Sequence, residues 1–242
     1  MSTGIGDEKT CLLMFSGGYD SLLASCYLVQ KGYRVVLATF DNGLEKNMES
    51  VTVNKDRLIK LYSSRIRFLG VKHITGIWRE LFLLPYFTGR EDFDYELKPM
   101  EFICLSCRTA MYVRLIAECL LRGIKLVAEG ARESQGYPEQ QRLVMNIYKK
   151  LCNDYSIGLL LPVYDIPNKE RVKEELIIRD ILPKTSEPYC IFAMPLYEYE
   201  PSEDAVNEMV RLLKEYLIPH AHRIIKDLPD ILRFRSGGNE LV

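Results

Sequence analysis

A doubly wound α/β fold, with a mostly parallel five-stranded sheet and a helical C-terminal extension, is the architecture the sequence predicts. An apolar run at residues 11–15 stops at Ser16-Gly17-Gly18, and a helical pattern follows at once. Short aliphatic runs then alternate with helical spacing to about residue 180, as expected for parallel strands covered on both faces. The last amphipathic stretch, 205–217, is followed by no further strand. The 242 residues are 48% hydrophobic and 27% charged, enough to bury a full core. The expected division is an α/β domain over 1–200 and a helical extension over 201–242.

Taken in order, residues 11–15 read as a buried strand, and Leu22, Leu23, Cys26, Tyr27 and Val29 give the next helix its apolar face. Residues 33–40 form a second strand after Gly32 and end in the turn Asp41-Asn42-Gly43. Helical spacing over 51–69 precedes a short third strand at 71–77, with Trp78 and Arg79 at its carboxyl end and Trp78 read as a core side chain. Residues 80–103 are irregular, with Pro85, Pro99 and the acidic Glu91, Asp92 and Asp94. They read equally as a lid over the site and as a plain surface excursion. A helix from about 104 to 122 leads to a fourth strand at 125–129, which ends in Glu129-Gly130-Ala131-Arg132. After Gly136-Tyr137-Pro138-Glu139 come a helix through 150, a fifth strand at 159–164 and a helix from Asn168 to 180. Ser202 or Asp204 caps the final helix, and His220 and His222 follow as helix-end residues.

The formal net charge of −1 gives no global footprint for nucleic acid. No stretch approaches membrane-spanning length, and the charged residues within 1–10 leave no room for a secretory signal, so a cytoplasmic protein without membrane contact is expected. Seven cysteines in that setting read as reduced thiols or metal ligands. Cys11, Cys26, Cys119 and Cys152 fall on apolar patterns and read as core.

Two constellations carry chemistry. In the first, Gly17 and Gly18 let the backbone approach an anion closely, and the start of the next helix supplies positive potential. No Lys-Ser or Lys-Thr pair follows, so the loop is not a Walker loop. Ser16-Gly17-Gly18-Tyr19-Asp20-Ser21 instead resembles the signature of the PP-loop ATP pyrophosphatase superfamily, whose fold is adenine nucleotide alpha hydrolase-like, of the HUP type. The resemblance implies cleavage of ATP between its α and β phosphates and transfer of AMP to a substrate oxygen. Ser16, Gly17, Gly18 and Ser21 would cradle the departing pyrophosphate, and Asp20 would orient it or its Mg2+. Phe40, Gly130 and Arg132 lie at carboxyl ends of strands, where open α/β sheets hold ligands, and complete the nucleotide-binding set. Arg108 and Arg132 are the candidate anion-facing arginines, and Glu129 and Glu187 are weaker candidates.

The second constellation is Cys104-Leu105-Ser106-Cys107 at an expected helix start, together with Cys190. Thiols at a helix amino terminus have lowered pKa values and suit a metal or a reactive thiolate. Three ligands leave one position open, and cysteine thiolates hold iron–sulfur clusters. The set resembles that of the iron–sulfur-dependent tRNA thiolation branch of the superfamily. This implies a 4Fe-4S cluster on Cys104, Cys107 and Cys190, with Zn2+ as the alternative metal, and delivery of sulfide to a carbonyl carbon activated as its adenylate. With Asp20, the three cysteines are then the catalytic candidates.

Residues 38–43 and Gly136-Tyr137-Pro138 also resemble the 7-cyano-7-deazaguanine synthase group, which activates a carboxylate with ATP and converts it with ammonia. That group follows its first cysteine with three more, and residues 191–201 contain none. A nucleotide sensor without turnover is the reading from another class. The expected partners are ATP, a tRNA or small nucleobase-like substrate, a sulfur or ammonia donor protein and a second copy in a homodimer.

Overall fold

The computed structural model describes residues 9–83, 95–182, 189–191 and 199–237. Its centre is an all-parallel sheet of β1 (Thr10–Met14), β2 (Arg34–Asp41), β4 (Ile66–His73), β5 (Leu126–Glu129) and β6 (Gly158–Leu160), in the order β4-β2-β1-β5-β6. A separate antiparallel pair joins β3 (Glu45–Lys46) to β7 (Tyr189–Cys190). This is the predicted five-stranded doubly wound α/β fold.

The burial pattern explains the layering. Cys11, Leu13 and Phe15 point into one core with the Tyr19–Gln30, Glu49–Tyr62 and Lys169–Ile177 helices. Leu12 and Met14 point into the other, with the Pro99–Arg122, Arg142–Asp154 and C-terminal helices. A strand apolar on both faces has to be central in a covered sheet. The chain leaves β1 for β2 on one side and reaches β5 on the other, so the end of β1 lies at the switch point where such sheets open a crevice.

Several element boundaries differ from expectation. The helix expected over 51–69 stops at Tyr62, and the third strand runs Ile66–His73 rather than 71–77. Ile66 and Leu69 fit one face of a helix whereas Ile66 and Phe68 fit one face of a strand, and pairing of Ile66 with Val35 on β2 decides for strand. Trp78 is buried as expected, within the short Thr75–Trp78 helix. The helix expected from 104 begins at Pro99, a residue suited to a first helical position, where Lys98 N–H donates to Glu101 Oε2 at 2.7 Å. The fifth strand covers only Gly158–Leu160. The C-terminal helix continues from Glu203–Leu212 through a wider turn at Leu213–Leu217 into Ile218–Gly237. His220 and His222 therefore lie inside a helical run and cap nothing; His220 Nδ1 lies 2.8 Å from the Tyr216 carbonyl oxygen. Pro85, Glu91, Asp92 and Asp94 of the expected excursion, and Glu187, lie outside the described residues.

Candidate functional site

The loop between β1 and the Tyr19–Gln30 helix is held from three directions. Gly17 has φ +77, a left-handed value that favours glycine, and a Cβ there would meet Val51 Cα at 2.7 Å. Asn54 Nδ2 donates to the Gly17 carbonyl at 2.7 Å, and Asn54 Oδ1 is buried without a hydrogen-bond partner among the described residues. Thr39 Oγ1 donates to the Phe15 carbonyl at 2.7 Å and ties β2 to the loop. Within the loop, Gly18 N–H donates to Ser16 Oγ at 3.2 Å, and Ser21 Oγ donates to the Gly18 carbonyl at 3.0 Å. The cap residue, Gly18, has no side chain to offer the helix start, and the positive end of the helix dipole lies at the loop. Lys169 Nζ sits 5.1 Å from the centre of the Tyr19 ring and Lys173 Nζ 6.0 Å, which adds positive charge beside it.

The loop after β5 forms the facing wall. A Cβ on Gly130 would lie 2.7 Å from Ser21 N and 2.9 Å from the Asp20 carbonyl carbon, so only glycine allows this approach. Arg132 Nε donates to Asp20 Oδ1 at 3.0 Å, and Gln135 Nε2 donates to Asp20 Oδ2 at 2.8 Å. Arg132 is itself buried and fixed by Ser134 Oγ at 2.6 Å. The carboxylate of Asp20 is thus oriented before any ligand arrives. Ser16, Gly17, Gly18, Asp20, Ser21, Gly130 and Arg132 lie together around this loop. Phe40, at the end of β2, is buried in the core on the Pro99–Arg122 side. Asn54 and Gln135 escaped the sequence reading.

The cysteines lie at the same carboxyl edge of the sheet. Cys104 and Cys107 occupy the second and third turns of the Pro99–Arg122 helix, so the expected helix-start position and lowered thiol pKa are both corrected. Burial pushes the Cys104 thiol well above its ordinary value. The negative charges of Glu139, Cys107 and Cys190 push the same way, against the opposing pull of Arg108. Cys190 arrives on β7, paired with Glu45 on β3 immediately beyond the Asp41–Gly43 turn. Asn42 Nδ2 donates to Cys107 Sγ at 3.2 Å.

All seven cysteines are free of disulfides, and Cys11, Cys26, Cys119 and Cys152 are buried core residues as expected. Among the described residues, no three His, Cys, Asp or Glu side chains gather tightly enough to ligate a single metal ion. One zinc with sulfurs at about 2.3 Å would draw its thiolates to within about 4 Å of one another. The donors on offer, Cys104, Cys107 and Cys190, are cysteine sulfurs, the ligand type that holds iron–sulfur clusters.

Arg108 is engaged by two carboxylates of the protein itself. Its NH1 donates to Glu129 Oε1 at 2.7 Å and its NH2 to Glu139 Oε1 at 3.2 Å. Burial pushes the Glu129 carboxyl up, against the pull of Arg108 and of the Tyr112 hydroxyl that donates to it. This network braces the end of β5 against the cysteine helix, and Glu129 belongs to it rather than to the nucleotide loop. Among the described residues no helix is long and apolar enough to cross a membrane.

The family profile described as thiamine biosynthesis protein (ThiI) matches residues 6–120. No curated protein shows significant sequence similarity to the chain. Among solved structures, a 4-thiouridine synthetase in complex with RNA and bound ATP is similar at 14% identity and TM-score 0.55, covering 92% of this chain and 53% of that one. The chain therefore spans about half that enzyme's length. NMN synthetase from Francisella tularensis is similar at 14% identity and TM-score 0.50, over 92% of this chain and 84% of that one. The U34-tRNA thiolase NcsA from Methanococcus maripaludis, with its [4Fe-4S] cluster, is 15% identical over 92% of this chain and 74% of that one, at TM-score 0.48. At these identities the likeness is one of fold. The strand order and the glycine loop at its switch point give the chain the fold of the PP-loop adenine nucleotide alpha hydrolase superfamily, and the profile match over residues 6–120 covers the stretch that carries the loop.

Proposed function

We propose that the chain uses ATP and Mg2+ to adenylate an oxygen of its acceptor, releasing pyrophosphate, and then replaces that oxygen with sulfur. The observation that carries the reading is the convergence of two constellations on one edge of one sheet: a braced glycine loop after β1, and the thiols of Cys107 and Cys190 reached from the end of β2, with Cys104 one turn before Cys107. In the first step the acceptor oxygen bonds to the α phosphorus and the bond to the β-phosphate oxygen breaks. Pyrophosphate leaves with that electron pair. The loop N–H groups and the helix dipole hold the charge that develops there, and Asp20, oriented by Arg132 and Gln135, positions the magnesium ion.

In the second step a carbon–sulfur bond forms and the carbon–oxygen bond to AMP breaks. Cys104, Cys107 and Cys190 would hold a 4Fe-4S cluster, which supplies an open iron for sulfide brought by a donor protein. The acceptor is a tRNA or a small nucleobase-like molecule. The tRNA form is supported by the RNA and ATP bound to the similarly folded 4-thiouridine synthetase.

Asp20→Ala is expected to abolish pyrophosphate release with the far-UV circular dichroism unchanged; retained turnover sinks the nucleotide-loop assignment. Pyrophosphate release by the wild type also excludes a sensor without turnover. Protein purified without oxygen is expected to carry about four irons with matching sulfide. Cys104→Ala, Cys107→Ala and Cys190→Ala should each lose them. One zinc per chain, or no metal, would instead favour ATP-dependent amidation.

A further inference from the structure

We infer that Asn54 is a positioning residue of the glycine loop: its side-chain amide latches the peptide between Gly17 and Gly18, with the carbonyl turned to the Glu49–Tyr62 helix and the N–H turned to the side that takes pyrophosphate. The inference rests on the nucleotide half of the reading above and uses nothing of the sulfur half. A loop that binds an anion has to present N–H groups and keep its carbonyl oxygens away. Here the carbonyls of Phe15, Gly17 and Gly18 all accept from side chains, Thr39 Oγ1 at 2.7 Å, Asn54 Nδ2 at 2.7 Å and Ser21 Oγ at 3.0 Å. The Gly17 carbonyl belongs to the peptide unit flanked by two glycines. With no Cβ on either side that unit turns over with little steric resistance, and turned over it would aim an oxygen where the N–H now points. A trans peptide sets its C=O and N–H on opposite sides, so the bond from Asn54 fixes both. Gly18 N–H accordingly meets Ser16 Oγ at 3.2 Å, and Ser16 is exposed whereas Asn54 is 1% exposed.

The surroundings of the amide point the same way. Asn54 Oδ1 is buried without a hydrogen-bond partner among the described residues, an arrangement that lowers stability. Reversing the amide would set Oδ1 against the Gly17 oxygen, so Nδ2 is the end at the loop. Packing alone would favour an apolar side chain at this position. Val51, one turn earlier on the same face, and Leu58, one turn later, are both buried aliphatics, and Val51 backs Gly17 itself. Asn54 interrupts that apolar face to supply a donor.

The test titrates the full chain by calorimetry with ATP and with inorganic pyrophosphate, each with Mg2+, as wild type, Asn54→Leu and Asn54→Asp. Asn54→Leu keeps the approximate shape and removes both the donor and the orphan acceptor. Asn54→Asp keeps the shape and sets a carboxylate oxygen against the Gly17 carbonyl. A lost latch divides each chain's time between a competent and a turned-over loop, so affinity falls while every chain still binds. We expect affinity for both ligands to fall about tenfold or more in each variant, at unchanged stoichiometry. A merely structural role gives the opposite split, with fewer chains binding at wild-type affinity. That split, wild-type binding by a folded variant, or failure of both variants to fold would each overturn the inference; a single folded variant decides alone. Wild type that binds neither ligand would overturn the nucleotide reading and this inference with it, and is read before any variant is compared.

Discussion

Gly130 sets the width of the crevice between the loop after β1 and the loop after β5. The atoms a Cβ would strike, Ser21 N and the Asp20 carbonyl carbon, are backbone, so no side-chain rotation can relieve the clash. Gly130→Ala should destabilise the protein by about 1–3 kcal/mol through overpacking and weaken ATP binding, as read by denaturant midpoint and nucleotide titration. Gly76→Ala, in the short Thr75–Trp78 helix with nothing within 4 Å of the added carbon, should leave nucleotide binding unchanged and raise stability by up to about 1 kcal/mol. The glycine loop was legible in the sequence because its members are contiguous and its turn chemistry is local. Its braces were not, because Asn54 reaches Gly17 across 37 residues and Gln135 reaches Asp20 across 115. Asn42 was read only as part of a turn, and nothing in its neighbours announces a contact with Cys107. The arginines divided on the same ground: both follow plausible sites, but the carboxylates around Arg108 come from distant elements.

Among the elements, the Lys169–Ile177 helix shows how a local signal serves the site. Asn168 Oδ1 accepts from Arg171 N–H at 2.8 Å and caps the first turn, the turn that places Lys169 above Tyr19. Asn168→Ala should cost about 1 kcal/mol in a thermal or denaturant unfolding curve, whereas Asn168→Ser should recover most of that loss. Caps of this kind, including Ser202 for the Glu203–Leu212 helix, were readable from sequence because the capping side chain and its partner are three residues apart. Boundaries failed where one pattern serves two structures. The Ile66–Leu69 stretch is apolar enough for a helix, and only its place beside β2 makes it a strand. Pro99 was read as a mark of irregularity, although at a first helical position it initiates. That misreading put the two helical cysteines a full turn too close to the helix start, and with it inverted the expected direction of the Cys104 pKa.

For the molecule as a whole, the sheet divides the apolar interior into two cores that share few side chains. Ile66 belongs to one and Ile116 to the other. Ile66→Val and Ile116→Val should each cost about 0.5–1.5 kcal/mol, and the double variant should match their sum within about 0.5 kcal/mol, as read by urea denaturation. A clear departure from additivity would mean that the sheet transmits strain between its faces. The fold class was readable at this scale because strand and helix patterns alternate along the chain. The strand order was not, since it depends on pairings between distant segments.

The central place of β1 also has a consequence for timing. Its pairing with β2 closes a short loop, whereas its pairing with β5 must wait for a segment beyond the long Pro99–Arg122 helix. Loop closure costs about 0.6 kcal/mol more with each doubling of the intervening chain, and distant pairings form slowly. Gly130, Arg132 and Gln135 arrive only with β5. A nascent chain that has already made its first strand, glycine loop and helix therefore displays the whole Ser16–Ser21 motif while Asp20 still lacks its clamp, and the grip proposed for nucleotide is acquired late, in the same event that seats β5 beside β1.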